Sequence, residues 1–226
     1  MIYTFYGFCL GFIIPYIARR FSKLMPAPAP LAIWGTIRPL KQVSHSKKQK
    51  NLLFRKLNKQ YLYRCCMFAI ISSMIFTYAK FTFNTNNIDW ILFFIWSLIL
   101  LLEIDYKTML LPDVITVPLL ICGFMFACFH GNWVSPTESA IGSAIGYLIP
   151  TISGLLMIKK RPDAIGGGDI KLFSAIGSWL GPIYVVYTVL LSCILFSLFA
   201  FFSKKRVGAF GPAISISAII VAFYFF

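Results

Sequence analysis

The 226-residue sequence predicts an all-α fold: a polytopic membrane helical bundle of about eight transmembrane segments, with a basic cytoplasmic loop near its start. Three observations predict it. Hydrophobic residues make up 59% of the chain and charged residues 12%, which is more apolar surface than a soluble domain of this length can bury. Apolar runs recur at close to the length of about 20 residues that a helix needs to cross a bilayer core. The 21 Lys and Arg gather in blocks between those runs, as the positive-inside rule expects of cytoplasmic loops. That placement accounts for the formal charge of +14 through orientation and contact with membrane lipid headgroups, and no nucleic acid is expected as a partner.

The first run, residues 1–18, is followed by Arg19, Arg20 and Lys23 and preceded by no charge, the reverse of a secretory leader. It reads as a retained helix with its N-terminus outside. Residues 19–64 form a loop with 12 basic and no acidic side chains. Pro26, Pro28, Pro30 and Pro39 oppose a long helix in its first half. Leu52, Leu53, Leu57, Tyr61 and Leu62 in its second half fit either a basic amphipathic helix on the membrane surface or a solvated loop.

Residues 65–226 form the expected core. A second run, 65–79, ends at the polar turn "NTNN". The third, 90–104, delivers Asp105 and Lys107 to the cytoplasmic side. "LLPDVITVPLL" opens the fourth, which reaches about residue 129. An external loop without Lys or Arg leads to the fifth, 140–158, closed by "KKRPD". After three glycines the stretch 170–180 is short, and Gly181-Pro182 breaks it. Runs at 183–202 and 209–226 complete eight segments with both termini outside. Only Lys80 among the basic residues then lies on the outer side, which supports the orientation. The six cysteines form no C-x-x-C pair and mostly lie in apolar runs, where Cys acts as a small hydrophobe, so neither a metal site nor a disulfide framework is expected.

The acids carry the chemistry. Asp89 and Glu138 fall at the edges of outside loops, while Glu103, Asp105, Asp113, Asp163 and Asp169 gather at cytoplasmic helix ends. Gly166, Gly167 and Gly168 free the backbone ahead of Asp169 and permit close approach. Asp169 fits an ordinary helix N-cap equally well on local features. Asp105 lies at the same depth on the same side. Two carboxylates so placed can share a proton, one staying protonated while the other activates water. A small proton-coupled transporter is the alternative reading, since intramembrane acids mark ion paths. It prefers acids near the midplane and paired broken helices, neither of which is evident. A scaffold subunit with a dead site is the third, and the intact pair of acids argues against it.

"LEIDYKTMLLPDVITVPLL" and "AIGGGDIKLFSAIGSWLGP", with "FGPAISISA" near the end, resemble the type IV prepilin peptidases, membrane aspartic proteases of the G-x-G-D class. The resemblance covers about residues 90–226. It implies that Asp105 and Asp169 are the catalytic pair, with Gly166, Gly168, Asp113 and Lys171 in support. It implies prepilin or pseudopilin substrates of type IV pili or type II secretion. Their short basic leaders are cut after a glycine at the cytoplasmic face of the bacterial inner membrane, with no cofactor for proteolysis. Three departures stand out. The first loop lacks the family's paired C-x-x-C motifs, so no zinc is expected. The first helix lacks the Asn that accompanies N-methylation, so the resemblance leaves that activity, with S-adenosylmethionine as its cofactor, as one possibility beside the protease. Asp163 stands where the family has a Glu.

Overall fold

In the computed structural model of the chain, the described residues are 2–24, 47–83, 88–129, 133–157, 166–203 and 208–225. They form eight helices: α1 (Ile2–Leu24), α2 (Lys47–Thr82), α3 (Ile88–Thr108), α4 (Asp113–Ala127), α5 (Pro136–Met157), α6 (Gly167–Leu180), α7 (Pro182–Ser203) and α8 (Gly211–Phe225). Each expected segment has its helix, and the protein is a helical, multi-pass membrane bundle. Four stretches are long and apolar enough to cross a membrane by length and composition: Ile2–Phe21, Tyr61–Thr82, Pro136–Leu156 and Pro182–Phe202. α6 has 14 residues. At 1.5 Å per residue it spans about 21 Å, less than a bilayer core of about 30 Å.

Residues 47–64 are the opening turns of α2, continuous with its apolar run, so the expected boundary at 64/65 falls inside a helix. The proline-rich half of the basic loop (25–46) and Asp163 lie outside the described residues. The chain divides into two compact units, 1–84 and 85–226.

In the first unit, Gly7 and Gly11 bring α1 onto α2. A Cβ at Gly7 would lie 2.8 Å from the Ser72 carbonyl oxygen, and one at Gly11 would lie 2.5 Å from that of Phe68. Four-residue spacing puts both on one helix face, the small-residue pattern that lets backbones meet in an apolar medium.

The second unit is built around α6, which is buried without interruption from Leu172 to Leu180. α5 meets it backbone to backbone. A Cβ at Gly177 would strike the Gly142 carbonyl, and one at Gly146 the Phe173 carbonyl. Hydroxyls close the same seam: Ser139 Oγ donates to the Ser178 carbonyl at 2.6 Å, and the Ser143 and Ser174 hydroxyls are 2.9 Å apart. On the other flank, the Trp179 indole lies between Phe94 of α3 and Phe126 of α4, with ring centroids 4.9 and 5.1 Å away. Its Nε1–H donates to the Leu119 carbonyl of α4 at 2.8 Å. Gly181 takes φ +83°, a value that suits glycine, and α7 starts at the following proline.

The Gly142–Gly177 contact leaves no room for a side chain. Gly177→Val is expected to destabilise the protein by about 2–3 kcal/mol through overpacking, read as a lowered unfolding midpoint in detergent. Gly167→Ala, whose Cβ meets nothing within 4 Å, should leave that midpoint unchanged or slightly raised.

Candidate active site

Asp105 lies in the last turn of α3 and is 4% exposed. Its Oδ2 accepts a hydrogen bond of 2.8 Å from the backbone N–H of Gly211, the first residue of α8. The first N–H groups of a helix have no partner within it, and they carry the positive end of its dipole. A carboxyl there satisfies one of them. The residue at 211 must be small, since a Cβ would sit 2.6 Å from Asp105 Oδ2.

Asp169 is the third residue of α6. The N-cap is Gly166, with no side-chain cap bond, so Asp169 is not the helix cap that its position after the glycines suggests. Its carboxyl instead folds back over Gly166 and takes that residue's backbone N–H. Gly168 serves a different contact. A Cβ there would lie 2.8 Å from Leu111 Cβ, so glycine lets the α3–α4 connection rest on the first turn of α6. That connection opens at Met109, in the left-handed region at φ +52°, and closes at Pro112, the N-cap of α4.

The Phe94–Trp179 stack ties α3 to α6. Asp105 is eleven residues along α3 from Phe94, and Asp169 is ten residues back along α6 from Trp179. At 1.5 Å per residue those rises are about 16 and 15 Å. The charge of Asp105 reaches Asp169. Two acids within such reach resist being ionised together and titrate as a pair.

The remaining sequence-predicted residues form a separate tie. Asp113 opens α4 without capping it; its Oδ2 accepts from Lys171 Nζ at 2.6 Å. The pair joins the first turn of α4 to that of α6, and both side chains are about half exposed. Lys171 therefore balances Asp113 rather than Asp169. Glu103 is buried and pairs with Lys107 one turn on along α3, at 2.6 Å. Gly211 is the site residue that sequence reasoning missed. Among the described residues no group of three or more His, Cys, Asp or Glu could hold a metal ion.

Residues 92–201 match the type IV leader peptidase family. The chain is 37% identical over 130 residues to a prepilin leader peptidase/N-methyltransferase of Vibrio cholerae, covering 54% of this chain and 51% of that protein. It is 32% identical over 137 residues to one from Pseudomonas putida (57% and 47%) and 31% identical over 142 residues to one from Dichelobacter nodosus (61% and 49%). The chain spans about half the length of these curated relatives. No solved structure matches it. Both aspartates, the glycines before Asp169 and the Asp113–Lys171 tie all fall inside the segment, residues 92–201, that is similar to the type IV leader peptidase family.

Proposed function

We propose that the protein is a prepilin leader peptidase, an aspartic endopeptidase of the bacterial inner membrane with both termini periplasmic. It cuts the short basic leader of a prepilin or pseudopilin after a glycine at the cytoplasmic face. What supports this is the placement of Asp105 in the last turn of α3 and Asp169 in the first turn of α6, with the charge of Asp105 reaching Asp169. The pair holds one proton. The ionised member takes a proton from water as the water oxygen adds to the scissile carbonyl. The protonated member gives its proton to the leaving amide nitrogen as the C–N bond breaks. Backbone N–H groups of Gly211 and Gly166 orient the two carboxyls, and the Lys171–Asp113 tie holds the start of α6 against α4.

A transporter would place its acids along a path through the bilayer. Here they sit at the last turn of α3 and the first turn of α6, which favours chemistry at a membrane face. The N-methyltransferase in the relatives' names implies S-adenosylmethionine, a ligand with cationic sulfonium and ammonium groups. That name is compatible with S-adenosylmethionine as a ligand of this chain, and no methyl-transfer step is assigned.

With the purified chain and a prepilin bearing a basic leader, Asp105→Asn and Asp169→Asn should each lower cleavage about 1000-fold or more while the protein stays folded. Cleavage within tenfold of wild type by either variant would sink the two-aspartate mechanism. Gly211→Ala keeps the N–H but crowds the carboxyl, and a misplacement below 1 Å is enough to slow chemistry. It should cut kcat about tenfold or more with KM within about twofold. For the half-exposed ion pair, Lys171→Gln and Asp113→Asn should each cost less than about 1 kcal/mol of stability. The exchanged pair Asp113→Lys/Lys171→Asp should recover most of that loss in a double-mutant cycle.

A further inference from the structure

Among the described residues only two take a positive φ, and each lies at the end of a helix. Gly181 closes α6 at φ +83°, where the lack of a β-carbon spares the turn any strain. Met109 follows α3 at φ +52°, in the left-handed region where a β-carbon crowds the neighbouring carbonyl oxygen. Burial does not offset that strain, since Met109 is 58% exposed. Strain of this kind persists only where the surroundings over-determine it, and its place in the chain points to what it serves.

Met109 opens the connection from α3 to α4, which runs to Pro112, and each of its residues is held. The Met109 N–H donates to the carbonyl oxygen of Asp105 at 2.8 Å, so this turn closes the main chain of the acid itself. Thr108 Oγ1 donates to the Ile104 carbonyl at 2.8 Å and accepts from the Leu110 N–H at 3.3 Å, tying the residues on either side of Met109. Leu111 precedes a proline, which restricts it to extended conformations. Pro112 stands at φ −76°, where its ring fixes it.

The far end of this connection bears on both neighbours of Asp169 in the first turn of α6. Leu111 rests on Gly168, where a Cβ would come within 2.8 Å of the Leu111 Cβ. Asp113 accepts from Lys171 at 2.6 Å. The connection is thus a short strut, attached at one end to the turn that carries Asp105 and at the other to residues flanking Asp169. A strut fixes a separation only if none of its joints is slack. Glycine at 109 fits φ +52° with less strain, but it also reaches the rest of the backbone map and would add the one loose joint.

We propose that Met109 is a positioning residue for the aspartate pair: a β-carbon at this position keeps the strut stiff and so fixes how far Asp105 stands from Asp169. This rests on the peptidase reading above. The thioether beyond the β-carbon is not needed for the task. The strain is the cost of a left-handed joint that cannot relax, and a small misplacement of a reacting group is enough to slow chemistry.

The test uses the full chain in detergent and a synthetic peptide with a lysine-rich leader ending in glycine and an apolar run after it. Met109→Gly relieves the strain, so its unfolding midpoint should equal that of wild type or exceed it by up to about 3 °C. Its kcat should nevertheless fall about fivefold or more with KM within about twofold, because the peptide still binds while the acid pair is misplaced. Met109→Ala is the conservative variant: it keeps the β-carbon, loses the rest of the side chain, and should hold kcat within about twofold of wild type. Wild-type kcat in Met109→Gly overturns the assignment. A loss in Met109→Ala equal to that in Met109→Gly also overturns it and makes the long side chain the part that matters. A midpoint lowered together with kcat in Met109→Gly overturns it as well, since the turn would then support the fold and not the spacing. No cleavage by the wild type instead overturns the peptidase reading, and the role of Met109 with it.

Discussion

The Trp179 sandwich is the contact on which the geometry of the second unit depends. One indole touches three helices: its faces meet Phe94 of α3 and Phe126 of α4, and its N–H is bonded to α4. Each aromatic pair contributes about 0.5–1.5 kcal/mol beyond simple burial. The N–H bond matters more for specificity, since an unbonded polar group in apolar surroundings costs several times a made bond's net worth. With α3 and α6 pinned at that point, Asp105 and Asp169 lie about 16 and 15 Å farther along their helices.

The two flanks of α6 are built differently. Toward α5 the contact is backbone on backbone, with glycines where side chains would stand and serine hydroxyls bonded across the seam. Toward α3 and the start of α8 the contact is made by side chains, Trp179 on Phe94 and Phe173 near Phe210. The first flank tolerates almost no change in volume; a cleft of about 530 Å³ opens away from α6, between α3, α7 and α8.

The helices were legible because apolar runs ended by glycine, proline or charge leave little else for the chain to do. Gly181-Pro182 and Pro112 mark real helix ends, and the acids lie at the helix ends where the charge pattern put them. The Gly7–Gly11 and Gly142–Gly146 spacings were also there to be read, as four-residue glycine repeats on helices. Other features were not. Lys171 and Asp113 are 58 positions apart, and Gly211 and Asp105 are 106 apart. No local pattern links such residues, because the link exists only once several helices have packed. The N-cap at Gly166 was not read because an aspartate after glycines favours capping locally, whereas here its carboxyl folds back over Gly166.

Asp105 is held by a donor that belongs to the main chain. Nineteen of the twenty amino acids would bring the same N–H to position 211, and only proline would omit it. Drift at that codon can spoil the fit around the carboxyl but can scarcely delete the bond itself. The anchor of this acid is therefore insulated from inheritance errors in a way that a side-chain partner never is, and the vulnerability moves to bulk, where glycine alone is lenient.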